Sequence, residues 1–212
     1  MSKMLKFSAF ALALVAGAGS ANAGVIFTSI AYDGAPAPGE TMVVDFDHPN
    51  AAGYGMSWSN AGLFQGPLVA GIAAPPVGDE TKYLSVFTGG SAVLTSPGTL
   101  HSLSVYLGSI DSYNTITFHG QNGFSQSFTG NQLNTPANGD QFAALTNRRF
   151  FFELDTADLI NQVTFLSSGN SFEFDNIAVN DPPSRVPEPI TLSLFATGIA
   201  GAAALRRRRK SA

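Results

Sequence analysis

Apolar and polar positions alternate with a period of two along much of the chain. Ser104 separates Leu103 from Val105, and a threonine likewise separates Ile116 from Phe118. Successive side chains of a β-strand point to opposite faces, so this spacing predicts strands with one face in a core. Runs of this kind, or short β-rich runs bounded by turn residues, lie at 25–31, 41–46, 83–88, 92–95, 100–107, 115–119, 124–128, 149–154, 163–166 and 172–179.

Glycine, proline, asparagine and aspartate separate these runs at roughly the eight-to-twelve-residue spacing that is typical of β-sandwiches. Only residues 156–162 show a convincing helical period. Glycines, prolines and alanines dilute the pattern over 49–79, where we expect long loops with room for one edge strand. The chain is therefore predicted to be all-β.

The 17 phenylalanines suit antiparallel sheets that face each other across an aromatic core better than they suit a helical arrangement. Residues 24–181 are long enough for one domain with a core and too short for two comfortable ones. We predict a jelly-roll-like β-sandwich over this range. In its last strand we expect Phe172, Phe174 and Ile177 to point inward.

The beginning of the chain follows another pattern. Lys3 and Lys6 precede an apolar run at 7–18, and Ala21 and Ala23 form the small-x-small site at which leader peptidases cut. The apolar run is too short for a first transmembrane helix. Residues 1–23 are therefore predicted to be a cleaved secretory signal peptide.

The end of the chain combines a proline segment, an apolar segment and a basic cluster. A helix cannot run through the first, because proline fixes φ and lacks an N–H. No charged side chain occurs from Ile190 to Leu205. At ~1.5 Å per residue this segment spans roughly 24 Å, less than the ~30 Å core of a bilayer, so we predict a marginal transmembrane helix. The flanking residues are Val186, Pro187, Glu188 and Pro189 before it and Arg206, Arg207, Arg208, Arg209 and Lys210 after it.

This proline-glutamate-proline motif, with its short apolar helix and arginines, resembles the PEP-CTERM sorting signal, to which we assign 182–212. An ordinary tail anchor is the alternative. The resemblance implies recognition by an exosortase and export in a Gram-negative bacterium. It also implies a temporary stay in the inner membrane, with the basic cluster cytoplasmic, before release to the cell surface or extracellular matrix. Residues 108–118 and 172–179 are similar to segments of PEP-CTERM cargo domains, which implies fold only.

Charge and cysteine content exclude several partners and chemistries. Between residues 24 and 189, four basic residues stand against all fifteen acidic ones, a net charge of −11. Nucleic acid and anionic lipid are therefore not expected partners, because binding to them depends largely on Lys and Arg. The chain has no cysteine, which removes disulfides, thiol chemistry and zinc-thiolate sites and leaves stability to the core or a bound ion.

A structural Ca²⁺ is the candidate cofactor. Asp45 and Asp47 flank one residue near the end of an early strand, and Asp175 and Asn176 lie in the last strand. First and last strands of a jelly roll often run side by side, and Ca²⁺ prefers such oxygen ligands. Turn capping by these residues is the alternative. His48, His101 and His119 lack the close spacing of a histidine metal centre.

The sequence carries no nucleophile-elbow or phosphate-loop motif. A Ser-His-Asp triad assembled by the fold stays open, and so does a carboxylate pair, although acids that alternate with phenylalanines are expected on a solvated face. Trp58 is the candidate platform for stacking on a sugar; its alternative role is to fill the core. We therefore expect an exported non-catalytic surface or matrix protein with exopolysaccharide as its candidate ligand. A secreted glycan-acting hydrolase is the alternative.

Overall fold

The structure, a computed structural model, describes residues 24–180. Within this range no helix is long and apolar enough to cross a membrane. The predicted signal peptide with Ala21 and Ala23 lies outside the described residues. The same holds for the sorting segment with Val186, Pro187, Glu188, Pro189, Ile190, Leu205 and Arg206 to Arg209.

The described part of the chain is built from strands, which confirms the all-β prediction. They are β1 (Ile26–Ala31), β2 (Thr41–Val44), β3 (Gly55–Gln65), β4 (Lys82–Thr95), β5 (Ser102–Gly108), β6 (Asn114–Gly120), β7 (Ser125–Thr129), β8 (Arg148–Glu153), β9 (Ile160–Ser167) and β10 (Phe172–Val179). One α-helical turn, α1 (Gly130–Leu133), follows β7, and 3₁₀ turns occupy Gln121–Gly123 and Thr156–Asp158.

The strands form two sheets that share the long strand β4. Residues 84–86 of β4 pair with β10, whereas residues 90–95 pair with β9. The first sheet has the order β1-β8-β5-β10-β4, and the second has the order β4-β9-β6-β7. All these pairs are antiparallel, β3 runs along β4 through both sheets, and β2 pairs with the second half of β10.

The corner between the sheets depends on a close backbone approach. The pairing of β3 with β4 shifts register between Ser59 and Ala61, as in a β-bulge. A Cβ atom on Gly90 would lie only 2.2 Å from the carbonyl oxygen of Asn60. Only glycine therefore lets β3 and β4 turn together at this point.

Phenylalanines fill the space between the sheets. Ring centroids from opposite sheets lie 5.3 Å apart for Phe27 and Phe128 and 4.9 Å apart for Phe118 and Phe152. Phe172, Phe174 and Ile177 are fully buried, as predicted from their spacing. The sandwich prediction is confirmed.

One local prediction is wrong. The helical period over 156–162 gives only the 3₁₀ turn, because Leu159 adopts a left-handed conformation with φ 49° and β9 begins at Ile160. Residues 55–65 form the eleven-residue strand β3, which is the edge strand expected within 49–79. Its apolar pattern is diluted because an edge strand with one exposed face needs few large apolar residues. The predicted strands 83–88 and 92–95 join into β4.

The outer face of the first sheet is also buried. Ser104 and Tyr106, on the face opposite Leu103 and Val105, are covered as completely as the core side. Glu173 and Asp175 retain only 2% and 0% of their surface exposed, so the expected solvated face for these acids is wrong. Loops 32–40 and 66–81 lie over this face and exclude water from it.

Candidate functional site

Side chains of the first sheet hold the covering loops in place. The hydroxyl of Tyr106 in β5 donates to the carbonyl of Val77 over 2.5 Å, and that of Ser104 donates to Glu40 over 2.8 Å. Pro76 lies so close to the end of β5 that a Cβ on Gly108 would sit 2.9 Å from its Cα. The loops are therefore anchored against the sheet.

A groove runs along these loops on the outside of the sandwich. Its largest section, about 490 Å³, lies between residues 32–36 and 77–81. A second section of about 190 Å³ shares Val77, Gly78 and Asp79 with the first, and a third of about 130 Å³ shares Ala74 and Gln141 with the second. Because neighbouring sections share walls, we treat them as one continuous depression, the loop groove.

Two exposed aromatic residues stand beside the first and second sections. Tyr32 is 49% exposed and Phe142 is 75% exposed. The hydroxyl of Tyr32 donates to the carbonyl of Phe142 over 2.7 Å. The two residues are therefore adjacent on the surface, and adjacent exposed apolar residues mark interaction sites more often than isolated ones do. Tyr106 lines the first section from below, and burial raises its pKa to about 12.

The third section is polar and contains Glu173. The Glu173 carboxylate accepts hydrogen bonds from the backbone N–H of Ala74 (3.3 Å) and from the hydroxyls of Ser85 (3.4 Å), Ser109 (2.8 Å) and Ser171. Burial raises the pKa of this carboxyl, and the hydrogen bonds from Ser171 and Ser109 oppose that rise. Glu173 therefore joins three separate segments of chain to β10.

Asp111 lies on the wall of the same section. Burial raises the pKa of this carboxyl, and the hydrogen bond from Tyr113 opposes that rise. The Tyr113 hydroxyl lies 2.6 Å from Asp111 Oδ2 and 2.7 Å from the carbonyl oxygen of Asn170. Two carboxyl groups of raised pKa, Asp111 and Glu173, thus line one small cavity.

A second acidic pair lies at the first section. The hydroxyl oxygen of Thr81 is 2.5 Å from Asp79 Oδ1 and 3.2 Å from Asp175 Oδ2. Burial, reinforced by the nearby charge of Asp79, raises the pKa of Asp175 to about 9. The guanidinium of Arg149 lies on the same face but donates to the carbonyls of Gly34 (3.3 Å) and Asn176 (2.8 Å). It forms no ion pair with either acid of this pair.

The structure places the predicted calcium residues in two different settings. Asp45 and Asp47 follow β2 in a turn, where Asp45 Oδ2 lies 2.7 Å from Nδ1 of His48. Asp47 Oδ2 accepts from the backbone N–H of Lys82 over 3.1 Å. Asp175, in contrast, points into the buried layer. Within residues 24–180 no group of three or more His, Cys, Asp or Glu side chains is placed to hold a metal ion.

Trp58 lies in β3 rather than in a loop, and it is 42% exposed. Its ring packs edge to face against Phe46, with centroids 6.4 Å apart. It therefore does not fill the core, which was its alternative role. It also does not line the loop groove.

The match to a known protein family lies at the C-terminal end of the chain. The family model for the PEP-CTERM protein-sorting motif matches residues 185–209. The chain carries a PEP-CTERM motif. The resemblance expected from Pro187, Glu188, Pro189 and the arginines is thereby confirmed. A PEP-CTERM motif indicates export and membrane-anchored sorting in Gram-negative bacteria.

The described sandwich of this PEP-CTERM protein is similar to solved carbohydrate-binding modules. A family 11 module from Clostridium thermocellum, solved with a β-1,3-1,4-mixed-linked tetrasaccharide, is 15% identical, with 66% of this chain and 94% of that chain covered and a TM-score of 0.33. The family 11 module of the Clostridium thermocellum cellulase Lic26A-Cel5E is 16% identical, with 68% and 95% covered and a TM-score of 0.32. No curated protein matches the chain significantly in sequence.

Proposed function

We propose that this chain is an exported, non-catalytic protein of the cell surface or extracellular matrix that binds exopolysaccharide in the loop groove. In this proposal an exosortase recognises the PEP-CTERM motif at the inner membrane, and a jelly-roll-like sandwich carries the groove outside the cell. Residues 1–23 act as the signal peptide that starts export.

The observation that carries the proposal is the pairing of Tyr32 and Phe142 beside an extended depression. A sugar ring has an apolar face that stacks on aromatic rings and hydroxyls that need hydrogen-bond partners. The groove offers both, because Asp79, Thr81 and Gln141 line it alongside the two rings. Its largest section falls within the ~300–1,000 Å³ of typical ligand sites.

Charge narrows the class of polysaccharide. Asp79 and Glu80 line the largest section, and the segment from 24 to 189 carries a net charge of −11. An acidic polysaccharide would be repelled from such a surface at low salt. We therefore propose an uncharged polymer as the ligand.

The hydrolase alternative would rest on Asp111 and Glu173, the two carboxyls of raised pKa in the third section. Glycoside hydrolysis needs two carboxyls that face the substrate. Glu173 is 2% exposed, and the N–H and hydroxyl groups of its own chain surround its carboxylate. This arrangement fits a structural role for Glu173, and it favours binding over catalysis.

The test is co-sedimentation of the full-length chain, in a mild detergent, with the extracellular polysaccharide of its own host. We expect Tyr32→Ala and Phe142→Ala each to weaken retention roughly fivefold, since one stacking contact is worth about 1 kcal/mol. Tyr32→Phe keeps the ring and should keep most of the retention. Trp58→Ala is the matched control, because that ring is exposed but lies outside the groove.

Two outcomes would contradict the proposal. Loss of retention in Trp58→Ala, with Tyr32→Ala unaffected, would favour the Trp58 platform that the sequence predicted. Release of new reducing ends by the wild type, abolished in Asp111→Asn without unfolding, would establish the hydrolase alternative.

A further inference from the structure

The buried layer beneath the loop groove contains carboxylate oxygens that the protein itself leaves without partners. Asp175 is fully buried, and its Oδ1 atom has no hydrogen-bond partner; the same holds for Oδ2 of Asp79. An unpaired buried carboxylate is among the most costly groups in a folded protein. Two of them side by side require a counter-ion or a proton.

The geometry of the remaining oxygens shows that both carboxylates face one point. Thr81 Oγ1 lies 2.5 Å from Asp79 Oδ1 and 3.2 Å from Asp175 Oδ2, and it has one proton to donate. The backbone N–H of Thr81 also donates to Asp79 Oδ1, over 2.9 Å. The single hydroxyl proton serves only one of its two contacts at a time, and Asp79 Oδ2 and Asp175 Oδ1 have no partner at all among the described residues.

No cationic side chain of the described residues pairs directly with either carboxylate. The two ion pairs within residues 24–180 join Asp45 to His48 and Asp47 to Lys82. The buried guanidinium of Arg149 acts on Asp175 only through its charge, because its NH1 and NH2 groups donate to backbone carbonyls and its Nε has no partner in the described part of the chain. Asp79 and Thr81 line the largest section of the loop groove, so the pair lies directly beneath a depression that is open to solvent.

We propose that Asp79 and Asp175 bind a hard divalent cation of the Ca²⁺ class, with the Thr81 hydroxyl oxygen as an additional ligand. Such ions take six to eight oxygen ligands at about 2.3–2.6 Å, with waters completing the shell where protein oxygens are few. A site of two carboxylates and a hydroxyl on the wall of an open groove fits this ligand chemistry. It shares only Asp175 with the set predicted from the sequence, because Asp45 and Asp47 cap a turn.

The cation would fasten loop 66–81 to β10. Asp79 and Thr81 end that loop, whereas Asp175 lies in β10, an interior strand of the first sheet. Since the ion would bind the folded chain only, it would raise thermal stability by mass action. Asp79 and Thr81 also line the groove proposed for the glycan, but the melting test uses Ca²⁺ without glycan, so a failure of one proposal is distinguishable from a failure of the other.

The test uses the full-length chain with Ca²⁺ alone as the probe, melted in the presence of CaCl₂ or EGTA. At a hundredfold excess over Kd we expect the Tm to rise by about 5–10 °C for a chain of this size. Asp79→Asn and Asp175→Asn should each abolish the rise, whereas Asp45→Asn and Asp47→Asn should retain it. Asp79→Asn keeps an oxygen that can accept from the Thr81 N–H, so this variant is expected to fold. It therefore tests the cation site even if Asp175→Asn fails to fold.

Terbium provides a second readout. Tb³⁺ replaces Ca²⁺ and luminesces when excited through nearby tyrosines. Tyr106 lines the same groove section as Asp79, and burial, with a smaller contribution from the charge of Asp79, raises the pKa of both Tyr83 and Tyr106. We expect sensitised emission that Ca²⁺ competes away and that Asp79→Asn loses. Identical melting curves in CaCl₂ and EGTA would overturn the proposal and assign a shared proton to the pair. Loss of the rise in Asp45→Asn or Asp47→Asn, with Asp79→Asn unaffected, would overturn it in favour of the turn residues.

Discussion

Phe165 of β9 and Phe174 of β10 stack across the two sheets, with ring centroids 4.2 Å apart and ring planes inclined by 22°. The contact lies where β4 passes from one sheet to the other, since β4 pairs with both strands. We expect Phe165→Ala to lower the free energy of unfolding by about 3–5 kcal/mol, because a large cavity remains. Leu166→Ala is the control: Leu166 is 41% exposed and should cost about 1 kcal/mol or less.

Urea unfolding followed by fluorescence measures both changes. The double variant with Phe174→Ala should show a coupling of about 0.5–1.5 kcal/mol, which is the usual value for an aromatic pair. Equal effects of Phe165→Ala and Leu166→Ala would contradict the facing arrangement of the sheets.

The Glu173 carboxylate is expected to stabilise the covered outer face. Glu173→Ala leaves the N–H of Ala74 and several buried hydroxyls without an acceptor, at about 1–3 kcal/mol for each such group. We expect a loss of at least about 2 kcal/mol in urea unfolding, and a smaller loss for Glu173→Gln, which keeps one oxygen. Glu80→Ala is the control, because Glu80 is an exposed acid of loop 66–81, the loop that contains Ala74. A loss no larger than that of the control would show that the loops do not depend on Glu173.

The contact between His48 and Asp45 should be visible in solution. The hydrogen bond to Asp45, followed by its charge, raises the pKa of His48 above 6.5. Stability from this contact is fully present below the ordinary pKa and is lost as pH rises through the raised folded-state value. NMR titration should therefore place the His48 midpoint above 6.5, and Asp45→Asn should lower it. An unchanged midpoint in Asp45→Asn would refute the contact.

The sequence predicted the inner side of the sandwich well because that information is local. The spacing of Phe172, Phe174 and Ile177 assigned their inward direction, and β10 begins and ends where the pattern predicted. Alternation shows which residues share a face, but it cannot show what covers that face. For this reason Glu173 and Asp175 were expected in solvent although loops bury them.

The groove could not be found from the sequence. Tyr32 and Phe142 meet across 110 positions of the chain, and each lies in a turn-rich segment whose pattern indicates only a loop. The turn-forming residues Gly34, Pro36 and Gly78 were the only local feature of these segments, and they indicate turns but not a groove. Trp58 is the chain's one tryptophan, but its position in an edge strand depends on pairing with β4, which periodicity does not reveal.

Processing of both chain ends remains a prediction from the sequence. Ala21 and Ala23 mark the expected leader-peptidase site, and the PEP-CTERM motif marks the second event. We expect the mature protein from its native host to lack residues 1–23 and the residues after about Pro189, as measured by intact mass. Surface-localised protein that still carries Arg206 to Lys210 would contradict this prediction.

The location of the glycan site is tested most directly by backbone amide NMR. Soluble fragments of the host's neutral exopolysaccharide would be titrated into the isotope-labelled full-length chain in detergent micelles. We predict chemical-shift changes that cluster at residues 32–36, 77–81 and 138–142, around Tyr32 and Phe142, with the inner sandwich unaffected. Changes confined to β3 around Trp58, or no changes at saturating fragment, would contradict binding in the loop groove.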